Sequence, residues 1–176
     1  MGNIIPLEAI RVLYALCASL STSQPSPPTI IGHLSDPEAT VASLVRIVQH
    51  PYDDLSLQNA VWSFISPAID KEPALASLFV TGRFHLPNHV KSNEGEGVAP
   101  SDGNGIKPKT TSAIDVARDV LTNWKKLWEL NPQLLVSVLR FLDVVWQHGL
   151  EYKAVLETTR EDSSFWDQWH PLRLKS

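Results

Sequence analysis

His85 and His89 are the pair whose type and spacing come nearest to metal chemistry in this chain. Two histidines at i and i+4 on a helix would aim two ring nitrogens at one ion. Pro87 lies between them, however, and no glutamate follows His85 to serve as a base, so the ligand set is incomplete. The remaining histidines, His33, His50, His148 and His170, are scattered. Gly95-Glu-Gly97 and Gly103-Asn-Gly105 look like pieces of a phosphate-cradling loop. Neither follows a predicted strand and no Gly-Lys-Ser/Thr completes them, so a flexible linker is the better reading. Asp102-Gly-Asn-Gly105 lacks the later glutamate of a calcium loop. No Gly-x-Ser-x-Gly elbow occurs. The acidic run from Glu157 to Asp162 suits the end of one helix and the cap of the next better than a carboxylate pair for acid–base work. The expectation is therefore of no enzyme: no catalytic residue, cofactor-binding residue, metal ligand or small-molecule substrate.

Aromatic residues are the other conspicuous set. Phe165, Trp166 and Trp169 lie close together, with Arg173 and Lys175 after them. They read as a surface for a partner or a membrane, or as side chains that pack on a following repeat outside this chain; the last reading is preferred. Trp124, Trp128 and Trp146 sit at core spacing and are expected to pack inside.

These residues must be positioned by helices. The chain has 176 residues, 43% hydrophobic and 19% charged, an ordinary composition for a folded domain. A net charge of −4 argues against a broad nucleic-acid surface, which needs clustered Lys and Arg. Cys17 is the only cysteine, so no intrachain disulfide forms, in keeping with a reducing compartment. Ile10 to Leu20 is apolar, but Glu8 precedes it and Arg11 interrupts it. Ile10, Leu13, Cys17 and Leu20 share a helical stripe, which favours a packed helix from Leu7 to Ser21 over a signal peptide. Met1-Gly2 invites myristoylation, but Pro6 stands where Ser or Thr is required. No apolar run is long enough for a bilayer span.

Breakers divide the rest. Ser23-Gln-Pro-Ser-Pro-Pro28 is a connector that no helix crosses. Ser35 or Asp36, followed by Pro37 and Glu38, opens a helix carrying Val41, Leu44, Val45 and Val48, which His50-Pro51 ends. Asp53 or Asp54 starts the next, with Leu57, Val61, Phe64 and Ile65; Pro67 should end or kink it. Pro73 to Val80 is a short helix stopped by Gly82. Residues 83–111 are rich in Gly, Pro and polar side chains, and composition predicts a flexible loop. A long helix from Thr111 or Ser112 carries Ile114, Leu121, Trp124, Leu127 and Trp128, then breaks at Asn131-Pro132. A second long helix follows with Leu134, Leu135, Val138, Leu139, Leu142, Val145 and Trp146, closed by His148-Gly149 with Gly149 in a left-handed cap. Short helices over Tyr152–Thr158 and Ser163–Trp169 complete the chain. Each stripe is too narrow for full burial, so each helix needs neighbours. The fold class is all-α: an irregular α-solenoid of antiparallel helix pairs with a long flexible loop. The division is 1–82, 83–111 and 112–176, read as one continuous solenoid segment.

The stretch Ser112 to Leu142, SAIDVARDVLTNWKKLWELNPQLLVSVLRFL, with Ser164-Phe-Trp166 after it, resembles the large inner-ring scaffold nucleoporins. It is most similar to the fungal nucleoporin one-eighty-eight family. Asp54-Leu-Ser-Leu-Gln-Asn-Ala-Val-Trp62 and Pro73-Ala-Leu-Ala-Ser-Leu-Phe-Val80 resemble helical pairs of the same family. Together these cover about a third of the chain. The resemblance implies a fragment of a longer HEAT- and ARM-like solenoid, residence in the nuclear pore complex at the nuclear envelope, and contact with other nucleoporins of linker or scaffold type. It implies no enzymatic activity and carries over no site residue. The alternative is a self-contained helical adaptor, or transport-receptor-like module, that reads a peptide in a groove.

Overall fold

A computed structural model describes residues 7–20, 29–51, 53–82 and 111–167. Among these residues the chain is all-helical, with no strand. The helices are α1 (Leu7–Ser19), α2 (Pro37–Val48), α3 (Leu55–Lys71), α4 (Pro73–Thr81), α5 (Ala113–Thr122), α6 (Trp124–Leu130), α7 (Pro132–Gln147), α8 (Lys153–Glu161) and α9 (Ser163–Asp167), with a short 3-10 turn at Ile31–His33. The expected flexible loop and the proline connector at Ser23–Pro28 lie outside the described residues.

Local chemistry sets the starts. The Asp36 carboxylate accepts from the Ala39 amide at 2.9 Å, and Pro37 opens α2. Asp54 does the same for the Leu57 amide at 3.0 Å. Ser112 and Asp115 form a reciprocal capping box on α5. Asn131 accepts from the Leu134 amide at 3.2 Å, with Pro132 opening α7. Gly82 ends α4 in the left-handed region, at φ 68° and ψ 14°, its amide donating to the Leu78 carbonyl.

Packing arranges the helices in two layers. In one, α3 lies between α1 and α7; on the other side α2, α4 and α5 touch one another and cover α3 and α7. The helices of the first layer run in the same direction. Trp62 of α3 meets Phe141 of α7 with ring centroids 5.2 Å apart, and further along Asp70 lies 3.6 Å from His148. The far end of α1 is tied to the far end of α3, where the Lys71 ammonium donates to the Leu20 carbonyl at 3.1 Å. The expected stripe of α1 is the one that turns inward: Ile10 and Cys17 are buried, and Leu13 and Leu20 pack against the core. Val41, Leu44, Val45 and Val48 of α2 are likewise buried.

Several expectations need correction. Pro67 does not end α3, which continues to Lys71. Ala68 and Ile69 beyond it are buried, and that burial offsets the one hydrogen bond lost at proline. The long helix after Ser112 is in fact two. Asn123 leaves helical geometry, with its side chain donating to the Asp119 carbonyl, and α6 starts afresh. The change of direction rotates Trp128 out of the core, leaving it 59% exposed rather than packed. Trp124 and Trp146, by contrast, are partly buried and pack against the core as expected. Gly149 is not left-handed; Gly82 is the positive-φ glycine of the described residues. Gly149 is needed for space instead, because a Cβ there would sit 2.9 Å from the Trp146 carbonyl oxygen. Finally, α4 is buried around its whole girth from Leu75 to Val80, since α2, α3 and α5 surround it.

The core also contains a carboxylate. Glu72, only 1% exposed, sits between α3 and α4 and accepts from the Ile30 amide at 2.6 Å. Burial raises its pKa above the ordinary 4.5, against the opposing pull of that amide. A carboxyl whose folded pKa is raised contributes stability that is full below the unfolded pKa and is lost as pH rises through the folded one. Glu72→Gln keeps an acceptor for Ile30 without the charge. Its stability relative to the parent should therefore rise between pH 4 and pH 7 in paired urea titrations; a pH-independent difference would contradict this assignment. In the same assay Phe141→Ala should cost about 3–5 kcal/mol, whereas Val136→Ala, at a 43% exposed position, should stay within about 0.5 kcal/mol.

Candidate functional site

Asp162 organises the end of the described chain. Its carboxylate accepts from the Phe165 amide at 3.2 Å and so caps α9, the role expected of the acidic run. The same carboxylate is ion-paired with Arg118 of α5. This one side chain fixes α9 against a helix that precedes it by more than forty residues. The Trp166 indole N–H donates to the Thr159 carbonyl at 2.9 Å, which sets the ring plane.

Three rings then interlock. Trp166 stands edge-on to Phe165, centroids 5.1 Å apart at 79°, and edge-on to Trp146 of α7, at 6.4 Å and 89°. The Arg118 guanidinium lies 5.9 Å from the centre of the Phe165 ring. Beside them α5, α7, α8 and α9 leave an open groove of about 440 Å³. Leu121, Leu139, Leu142, Trp146 and Trp166 give it apolar walls, and Asp143 stands at its edge, accepting from Gln147 at 3.0 Å. Such a groove offers apolar area and ring edges to a bulky side chain of a partner.

Of the three aromatic residues singled out in the sequence, Phe165 and Trp166 are brought to this groove. Phe165 is 6% exposed, covered within the chain itself. Trp166 keeps part of its surface open. Trp169 lies outside the described residues. Sequence reasoning missed Arg118, because its partner Asp162 is too distant in the chain for any local signal. Of the apolar positions it read along α7, Leu142 and Trp146 pack against the core, whereas Leu139 is 43% exposed.

Cys17 and Tyr152 are buried away from this groove's lining. Burial pushes the Cys17 thiol up to about 12. Burial, with the neighbouring Glu151 carboxylate, also raises the Tyr152 phenol. Among the described residues no group of three or more His, Cys, Asp or Glu could hold a metal ion. His85, His89 and the glycine-rich segments lie outside them. No helix of the described residues is long and apolar enough to cross a membrane. Neither a protein-family model, nor a curated protein, nor a solved structure matches this chain.

The double duty of Asp162 is testable. Asp162→Ala removes both the cap and the ion pair, and the cap alone is worth about 1 kcal/mol. Amide hydrogen exchange over Thr159–Asp167 should accelerate about tenfold, while α3 amides keep their protection. Unchanged exchange in α9 would show that the ring cluster holds it unaided.

Proposed function

We propose that this chain is a non-enzymatic structural scaffold segment of the nuclear pore complex, an irregular α-solenoid of HEAT- or ARM-like helix pairs that presents surfaces to linker or scaffold nucleoporins. The observation that carries the architectural part is the parallel run of α1, α3 and α7 in one layer, with α2, α4 and α5 on the other side. Stacked helix pairs place equivalent helices side by side and pointing the same way, which a closed up-and-down bundle does not. The outer members of that layer carry apolar side chains in solvent: Val12 and Leu16 on α1, Val136 and Leu139 on α7. In a longer solenoid such faces meet the next helix pair or a partner.

The assembly itself is inferred from the resemblance of residues 112–142 and 164–166 to the one-eighty-eight family. Its mechanism would be geometric. Helices line the ring groove, and a partner supplies the apolar side chain that fills it.

The test is quantitative capture. The tagged chain, incubated with nuclear-envelope extract, should enrich nucleoporins about tenfold over tag alone, an affinity gain of one hot-spot contact. Leu139→Lys, which charges the ring groove at an exposed position, should remove that enrichment without shifting the melting temperature. Absence of any nucleoporin above the tag-only control would sink the assignment.

A further inference from the structure

A furrow of about 500 Å³ lies over α3 between α1 and α7, with Ser63, Asp70, Arg140 and Gln147 in its lining. Its exposed polar groups are served by water and call for no ligand. The ring groove poses a different question: what meets its apolar walls when no partner is bound. Leu121, Leu139, Leu142, Trp146 and Trp166 face an open space of about 440 Å³, and apolar surface left in water is unfavourable. Trp166, one of those walls, belongs to α9, which ends at Asp167. The chain therefore leaves α9 at the rim of the groove. The sequence continues over residues 168–176 as Gln-Trp-His-Pro-Leu-Arg-Leu-Lys-Ser.

The chemistry of this segment matches the groove. Trp169, Leu172 and Leu174 are large and apolar, like the walls. Leu172 and Leu174 stand two positions apart, so in extended chain both turn to one side while Arg173 and Lys175 turn to the other. Pro171 has no amide hydrogen and steers the residue before it towards extended backbone, which favours that alternation over a helix. The segment carries two cations and no Asp or Glu. At the groove, Arg118 is already paired with Asp162, and Asp143 is an exposed carboxylate without a cationic partner among the described residues. Reach is sufficient as well. From Asp167 to Leu172 extended chain covers up to about 17 Å, whereas α7 from Leu139 to Trp146 spans about 10 Å. A tether this short holds the segment at millimolar effective concentration. We propose that residues 169–174 occupy the ring groove of their own chain, with Trp169, Leu172 and Leu174 against its leucine and tryptophan walls and the cations outward beside Asp143. The segment is then a built-in competitor, and a partner's apolar side chain enters only by displacing it. That regulatory role rests on the partner reading above; the contact itself does not.

Disulfide trapping in the full chain tests the contact. Leu139→Cys on the groove wall is combined with Leu172→Cys, and Val12→Cys on α1 with Leu172→Cys is the control. Leu139 and Val12 are both exposed, and Cys17 is buried and stays out of exchange. Under mild oxidation the groove pair should close within one chain about tenfold faster than the control, because a docked segment raises the local concentration of its thiol. Adding Trp169→Ala and Leu174→Asp should bring the groove pair down to the control rate. A groove pair no faster than the control overturns the proposal. So does a fast rate that Trp169→Ala and Leu174→Asp leave unchanged, since the tether alone would then bring the cysteines together. Disulfides formed only between chains overturn it too, in favour of a second copy. With Leu139 and Leu172 intact, the Trp169→Ala, Leu174→Asp chain should capture about tenfold more nucleoporin than the parent; where capture occurs, equal amounts end the regulatory role. Trapping without any nucleoporin capture sustains the contact and sinks only the pore assignment, and capture without trapping does the reverse.

Discussion

Trp62 is fully buried in α3 and set against Phe141 of α7, and the layered arrangement depends on this contact. It joins helices separated by the whole of residues 83–111. Two large rings removed from water supply apolar burial that offsets the entropy of bringing together segments so distant in the sequence. Because the contact fixes α7 beside α3 and parallel to it, both flanks of α3 are decided at once, with α1 on one side and α7 on the other. The Trp62 indole N–H has no hydrogen-bond partner among the described residues, so this position favours ring packing over polar satisfaction.

The second constraint is polar. Glu72 and Lys71 sit at the junction of α3 and α4 and reach in different directions, to the Ile30 amide and the Leu20 carbonyl. Gln58 at the start of α3 donates to the His50 carbonyl. Long polar side chains at the two ends of α3 thereby hold the backbone of three other segments. A central helix that is capped, bonded at both ends and packed on several neighbours behaves as a rigid rod.

The two grooves differ because the helices facing them differ. The ring groove is closed by α9, whose position comes from one carboxylate shared between a backbone amide and Arg118. It is apolar because α5 and α7 turn leucines toward it. The furrow over α3 is polar at its surface because Ser63 and Asp70 are exposed there.

The helix content, the helix starts near Asp36, Asp54 and Ser112 to within a residue, the break at Asn131-Pro132, and the inward stripes of α1 and α2 were legible in the sequence. Each depends on residues within a few positions of one another, where spacing and backbone chemistry act directly. Only the tertiary structure decided that Pro67 is tolerated, that Asn123 splits a helix and exposes Trp128, and that Gly149 serves close approach while Gly82 serves handedness. It alone placed Phe165 inside the chain, paired Arg118 with Asp162, and brought Arg140 and Asp70 to the lining of one furrow. Those outcomes turn on burial and on contacts between distant segments, whose energies no local pattern of residues encodes.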